Sequence, residues 1–279
     1  MPELPEVQTV LDTLETKIKN RKIVDIKILY KPIVECWDRT FKNKLIGQHF
    51  RKFKRRGKYL LFEMDDITLV SHLRMEGKYF IVDDKFPKSK HDHVIFYLDN
   101  GKQMRYNDVR KFGRMELIEK KNDYSEFKNL GPEPFSKDFN LKYCKEYLSN
   151  KKKPIKEILL DQSFVAGIGN IYADEILFSM KVNPKALANE LTDQNIKDLI
   201  SSTRKILNRA IKAGGTTIRS YTSSLGVTGR FQLKLNVHTM EKCKVCNSEI
   251  KKIVVGGRGT YFCPTCQKET KWKSQSQEL

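Results

Sequence analysis

The chain has 279 residues, with 53 Lys+Arg against 34 Asp+Glu, a formal net charge of +19 and 39% hydrophobic residues. That is enough apolar material for the cores of two domains, and no apolar run approaches the roughly 20 residues that a bilayer span needs. A cationic surplus of this size excludes an acidic, self-solvating chain and points to a polyanionic partner, most often nucleic acid; a generally basic housekeeping protein is the other reading.

The chain opens MPELPEV. Acids stand where a secretory signal would carry basic and then apolar residues, so a cytosolic protein is expected, in a compartment where disulfides are rare. Met1 precedes a small residue, so its removal by a methionine aminopeptidase is expected, leaving Pro2 with a secondary amine. An α-amine titrates at about 7.7–8.0 in model peptides, so a useful fraction is neutral at cellular pH. A neutral secondary amine adds to an aldehyde-level carbon and gives an iminium ion without first losing another proton. Glu3 is the adjacent carboxyl, placed for proton transfer. An N-terminal arm leading into a helix accounts equally well for Pro5 and Glu6, which suit a first helical turn. It does not account for Pro2 and Glu3.

Val7, Val10, Leu11, Leu14 and Ile18 then form a helical stripe. From about residue 22 to 119 the texture becomes short β-rich runs: KIVDIKILY, KYLLFEM, ITLVSHL, HVIFYL and GRMELI, with Asp99-Asn100-Gly101 as a turn before KQMRY. This predicts an antiparallel β-sandwich or barrel. The two prolines of NLGPEPFS mark a hinge, and beyond it KPIKEILLDQSFV, NIYADEILFSM and LTDQNIKDLISSTRKILNRAIKAGG carry helical periodicity, the last stopping at Gly214-Gly215. Gly167-Ile168-Gly169-Asn170 separates two of these helices, with Asn170 as the expected N-cap. Glycines ahead of a helix start leave backbone N–H groups for a phosphate, although a tight turn joining packed helices has the same sequence. A polar loop, TTIRSYTSSLGVTGRF, follows.

Cys243, Cys246, Cys263 and Cys266 stand as two C-x2-C pairs separated by sixteen residues. Four thiolates so paired close a tetrahedral Zn²⁺ site with no open position, so one structural zinc per chain is expected, with an iron–sulfur or redox role as the alternative. The residues between read as a hairpin, with IKKIVV and TYF as strands and GGRG as the turn. Arg258 at its tip suits bidentate phosphate binding, or is an ordinary turn arginine. Cys36 and Cys144 read as packed thiols, and KWKSQSQEL as a frayed tail.

Taken together, PELPEV, RRGKYL, SHLRMEGK, DVRKFG, VAGIGNIYADEILF and GRGTYFCPTCQ resemble the bacterial formamidopyrimidine-DNA glycosylase family, in that family's order and over nearly the whole chain. The resemblance implies an α+β fold: an N-terminal antiparallel β-sandwich domain with flanking helices (1–128), a hinge (129–138), a helix-two-turn-helix DNA-binding domain with a lesion-capping loop (139–235), then a β-hairpin zinc finger and tail (236–279). It implies base-excision repair of oxidised purines in double-stranded DNA by a bifunctional glycosylase and abasic-site lyase, monomeric and cytoplasmic. Pro2 would attack C1′ and displace the base. Glu3 would act as general acid on the sugar ring, and Lys58 would lie near the lesion phosphates. The resulting iminium would acidify C2′ for β- and δ-elimination.

Extruding a base costs a few kcal/mol and leaves a gap for wedge residues to fill. By the resemblance these are Met75, Arg110 and Phe112, although core packing is the plainer reading of Met75 and Phe112. His72, His91, Lys156, Asn170 and Arg258 would grip phosphates with Lys58. Glu76 and the loop residues Ile218, Arg219, Ser220 and Tyr221 would line the lesion pocket. One departure is visible: Gln8 replaces a glutamate common in the family. The rivals are an endonuclease VIII-like enzyme for oxidised pyrimidines, disfavoured by DVRKFG and the long loop, and a non-catalytic zinc-dependent DNA-binding protein, which has no use for a free prolyl amine.

Overall fold

The computed structural model describes residues 1–119, 127–216 and 230–268. The chain divides into two compact units, Met1–Ser125 with Ile211–Gln232, and Glu126–Ala210 with Leu233–Leu279. Among the described residues no helix is long and apolar enough to cross a membrane.

The first unit opens with α1 (Leu4–Ile18). Its predicted stripe is buried to 2% exposure or less, and the exposed face is polar, as an amphipathic helix on a core requires. Among the described residues eight strands follow: β1 (Ile23–Ile28), β2 (Lys52–Arg56), β3 (Tyr59–Glu63), β4 (Ile67–His72), β5 (Lys78–Asp83), β6 (Asp92–Leu98), β7 (Lys102–Asn107) and β8 (Arg114–Glu119). They form two antiparallel sheets, ordered β1-β6-β7-β5 and β2-β3-β4-β8. Phe62 and Leu69 of one sheet share a core with Phe96 and Met104 of the other and with the α1 stripe. Phe62 of β3 meets Tyr79 of β5 edge-on at 5.9 Å, so the sheets face each other as the predicted sandwich. Gly101, at φ +75°, closes the predicted turn.

Strands β2 and β5 and the short helix α2 (Asp38–Leu45) lie outside the sequence expectation. Both strands are sheet edges. An edge strand tolerates charge on its open side, and KFKRR of β2 therefore shows no apolar alternation.

The second unit carries α3 (Leu141–Leu148), α4 (Ile155–Leu160), α5 (Asn170–Ser179) and most of α6 (Asp193–Lys212), then the hairpin β9 (Lys251–Val255) and β10 (Arg258–Phe262). Helix α4 is shorter than its periodicity suggests. Asp161 ends it by accepting the Ser163 N–H at 2.9 Å and the Ser163 hydroxyl at 2.7 Å, a local turn that competes with the helix. The N-cap of α5 is Gly169, not Asn170, which is the first helical residue.

The hairpin turn is also tighter than expected. Gly256 and Gly257 have φ of +54° and +71°, which makes a two-residue turn of the type that matches strand twist, and Arg258 becomes the first residue of β10, paired with Val255.

Helix α5 is buried nearly all round, and two of its buried residues are acids, Asp174 and Glu175. Buried carboxylates persist only with partners. Glu175 accepts the backbone N–H groups of Asn236, Val237 and His238 at 2.9–3.0 Å and so folds the lead-in to the cysteine module onto the helix.

Candidate active site and cysteine cluster

In the first unit, the start of the chain lies among carboxylates and one lysine. Glu3 is the N-cap of α1, and it forms a reciprocal capping box with Glu6, whose Oε2 accepts the Glu3 N–H at 2.9 Å. Glu6 Oε1 accepts from the Thr216 N–H at 2.8 Å and from its hydroxyl at 3.0 Å, so one buried carboxylate joins the first turn to the residues just ahead of the 217–229 segment. Pro2 is buried, and Glu3 and Lys58 are 3% and 6% exposed.

The amine at the chain start is here that of Met1, one residue ahead of the proposed nucleophile. Burial holds it below the ordinary α-amine value of 8.0, and Lys58 acts in the same direction, while Glu3, Glu6 and Glu76 oppose the shift. The expected groups Glu3, Lys58 and Glu76 therefore all act on one point at the beginning of the chain.

Strand register brings the next group in. Tyr59 pairs with His72 across β3 and β4, so Lys58 lies alongside the end of β4. His72 is held neutral: burial first, then the charges of Arg74 and Lys58, push it down to about 3. Its Nδ1 accepts the Arg74 N–H at 2.9 Å, which leaves the ring proton on Nε2 as a neutral donor.

Between about 6.5 and about 3 the unfolded chain binds a proton at His72 that the folded chain does not, so stability at this residue is intact above pH 6.5 and declines as pH falls through that window. His72→Gln is expected to flatten that decline. Urea midpoints at pH 7 and pH 4.5 check it, and an equal acid loss in both proteins would remove His72 as the source.

Gln8 acquires a purpose. Its Oε1 accepts from Arg55 Nε at 3.0 Å, and Arg55 Nη1 donates to the Gly57 carbonyl at 2.9 Å, so Gln8 braces the turn that presents Lys58.

Met75 and Phe112 are 37% and 48% exposed, which rules out the core-packing reading. Arg110 is exposed as well, with its guanidinium 4.7 Å from the Phe112 ring centre. His91 is half-buried at the end of the β5–β6 loop. That loop is held by Arg105, a residue absent from the sequence-based set. Arg105 is 2% exposed and donates to the carbonyls of Phe86 at 2.8 Å and Pro87 at 2.9 Å. Nothing local marks it, since its strand, KQMRYN, is polar at most positions and carries a second cation, Lys102. Ile218, Arg219, Ser220 and Tyr221 lie outside the described residues.

In the second unit, Lys156 departs from its expected role. It is 0% exposed, and its ammonium donates to Asp174 Oδ1 at 2.6 Å, Thr260 Oγ1 at 2.8 Å and the Gly259 carbonyl at 3.3 Å. An ammonium has three donors, and all three are engaged, so Lys156 is a strut under the hairpin and not a phosphate grip. Asn170 Nδ2 also donates to the Gly259 carbonyl, at 2.9 Å. Asp174 completes the strut by accepting the Tyr261 N–H at 3.1 Å and pairing with His238 Nδ1 at 2.7 Å. Arg258 stands exposed on β10, next to the doubly held Gly259.

The Sγ atoms of Cys243, Cys246, Cys263 and Cys266 all lie within 4.8 Å of one another, three of the pairs at 3.4–3.8 Å. Tetrahedral zinc with bonds of about 2.3 Å sets its sulfurs ~3.8 Å apart, so the donor set fits that ion. Phe178, Val237 and Ile250 pack against the buried Cys243 and Cys263. Cys144 is fully buried, and burial pushes its thiol up to about 12; burial also raises the half-buried Cys36, so neither is poised as a nucleophile.

The chain matches the families described as Formamidopyrimidine-DNA glycosylase N-terminal domain over residues 1–115, Formamidopyrimidine-DNA glycosylase H2TH domain over 130–222, and Zinc finger found in FPG and IleRS over 241–268. It is 48% identical over 273 residues to the formamidopyrimidine-DNA glycosylase of Streptococcus mutans, covering 96% of this chain and 100% of that one. Against the Ligilactobacillus salivarius enzyme the figures are 47% over 272 residues, with 96% and 99% covered. Among solved structures, Lactococcus lactis Fpg in complex with abasic-site DNA superposes with a TM-score of 0.91 at 46% identity, covering 96% of this chain and 100% of that one. The wild-type Lactococcus enzyme with N7-benzyl-Fapy-dG DNA gives 0.90, also at 46% identity and with the same coverage.

Proposed function

The chain belongs to the formamidopyrimidine-DNA glycosylase family, and from that premise we propose that the amine of Pro2, exposed once Met1 is removed, is its nucleophile. The protein is a DNA glycosylase with abasic-site lyase activity, and it removes oxidised purines from double-stranded DNA in base-excision repair. It carries one structural zinc ion on Cys243, Cys246, Cys263 and Cys266. Bound there, the ion would tie together the two ends of the β9–β10 hairpin, and with four thiolate ligands it would be structural.

The observation that carries the residue assignment is the convergence of Glu3, Lys58 and Glu76 on the amine at the chain start, in surroundings that lower its proton affinity. In this reading the amine attacks C1′ and displaces the damaged base. Glu3, held in place by the capping box, passes a proton to the sugar oxygen as the ring opens. The iminium withdraws electrons from C2′; loss of a C2′ proton expels the 3′ phosphate, and loss of a C4′ proton from the conjugated product then expels the 5′ phosphate. Lys58 and neutral His72 offer donors to the phosphates beside the lesion. Met75, Arg110 and Phe112 enter the gap in the stack, and Glu76 with residues 218–221 meets the extruded base. In the second unit, Arg258 and Asn170 hold the duplex backbone. The labour divides as chemistry in 1–128, a hinge at 129–138, backbone binding and lesion capping in 139–235, and the zinc finger from 236 onward. The enzyme works as a monomer in the bacterial cytoplasm, on chromosomal DNA.

The substrate assignment is tested on two duplexes, one with 8-oxoguanine opposite cytosine and one with thymine glycol. Faster release of 8-oxoguanine, by about tenfold or more in kcat/KM, is expected. Preference for thymine glycol would assign the chain to oxidised pyrimidines.

A further inference from the structure

The stack is invaded, in the reading above, by side chains on two exposed loops, and a loop does not by itself hold a wedge rigid. Both loops are held from beneath by two buried residues of β7 and its end, Tyr106 and Asp108, each 0% exposed.

Asp108 gathers the loop that follows it. Its Oδ1 accepts the Arg110 N–H at 3.0 Å, and its Oδ2 accepts those of Phe112 and Gly113 at 2.9 Å each. Its backbone is used too: the N–H donates to the His91 carbonyl at 3.0 Å, and the carbonyl lies 2.7 Å from His93 Nε2 and accepts the Lys111 N–H at 3.3 Å. Lys111 stands at φ +59°, a backbone state that a non-glycine residue keeps only where its surroundings impose it. One carboxylate thus holds three backbone N–H groups of this loop, and Arg110 and Phe112 project from that frame.

Tyr106 seats both loops. Its hydroxyl fills the space where a Cβ on Gly77 or on Gly113 would stand. Gly77 closes the loop that carries Met75 and Glu76, its N–H donating to the Leu73 carbonyl at 2.9 Å, and Gly113 closes the loop that carries Arg110 and Phe112.

We propose that Asp108 is the positioning residue of the wedge, with the Tyr106 hydroxyl as the common seat of its two loops, so that Asp108 governs extraction of the lesion from duplex without touching the reacting atoms. The proposal rests on the wedge roles given above to Met75, Arg110 and Phe112.

The test compares the zinc-loaded wild type, Asp108→Asn, the Arg110→Ala/Phe112→Ala pair and the triple variant. Asparagine keeps the shape but turns an N–H donor toward amide donors. Excision of 8-oxoguanine from duplex is expected to slow about tenfold to a hundredfold in Asp108→Asn. Cleavage of a single-stranded abasic oligonucleotide, which has no stack to invade, is expected to stay within about twofold. The fluorescence rise of 2-aminopurine beside the lesion should shrink in parallel with duplex excision. In the Arg110→Ala/Phe112→Ala background, Asp108→Asn should add little, because residues acting through one device are not additive.

A full multiplicative loss in that background, or an equal loss on the single-stranded substrate, overturns the proposal and leaves Asp108 as fold support. If Arg110→Ala/Phe112→Ala itself excises normally, the wedge assignment fails and the proposal with it, while wild-type excision still upholds the glycosylase reading. Should Asp108→Asn lack the wild-type circular dichroism, Tyr106→Phe, which keeps the ring in the core, carries the same comparisons. It is expected to show the same pattern at about threefold to tenfold, and the same contrary results overturn it.

Discussion

Replacing Pro2 by glycine, in protein whose Met1 has been removed, is expected to slow release of 8-oxoguanine from duplex by about a hundredfold or more, while duplex affinity changes by less than about threefold. Glycine keeps an amine at the same place, so the difference lies in its chemistry. Once the sugar ring has opened, a secondary amine's adduct is already an iminium with no N–H left to lose. A primary amine gives an imine that must hold an extra proton to act as an electron sink, and burial at this site disfavours added positive charge. Two measurements check the assignment. Borohydride reduction in the presence of lesion duplex should fix the DNA to the protein, and peptide mapping should find the adduct on residue 2. An adduct elsewhere, or full excision by protein still capped by Met1, would falsify the role of Pro2.

The sandwich, helices α4, α5 and α6 and the cysteine cluster were legible because each rests on a local regularity: alternation, helical period, paired C-x2-C spacing; α3, LKYCKEYL, is too short to show its period and lies outside the sequence expectation. The stripe of α1 needed only its own fifteen residues. The devices that orient the site were not legible, because their partners are remote in sequence. Glu6 read as a helix-dipole residue, and nothing near it announces Thr216, 210 positions away. Asp174 and Glu175 read as acids near a helix start, whereas their work is to bind groups 61 to 87 positions later. Gln8 is a neutral departure by motif, and its partner Arg55 stands 47 positions away. Exposure was similarly hidden. Met75 and Phe112 are large apolar residues, and period alone assigns such residues inward; only the loops that Gly77 and Gly113 close turn them out. A resemblance transfers residues by motif and is blind to burial, and Lys156, a phosphate grip by motif, is fully buried.

That difference over Lys156 has a large measurable consequence. Lys156→Met is expected to destabilise the second unit by about 3–5 kcal/mol, since it leaves the Asp174 carboxylate buried without its cation. The residues it supports include Thr260 and the Gly259 carbonyl, directly beside Arg258, so DNA affinity should fall with it. A phosphate ligand behaves otherwise. Arg258→Ala, which removes an exposed side chain, should leave the unfolding midpoint nearly unchanged and lower the slope of log affinity against log salt by about one phosphate unit. In Lys156→Met the midpoint should drop steeply. The salt slope should change only as far as the hairpin, and with it Arg258, is displaced, so adding Lys156→Met to Arg258→Ala should leave the slope where Arg258→Ala alone put it. Urea unfolding of the zinc-loaded proteins and salt titrations of duplex binding separate the two patterns. An unchanged midpoint in Lys156→Met, with a further full unit lost from the slope of the double variant, would return Lys156 to the phosphates and require its ammonium to leave Asp174 when DNA binds.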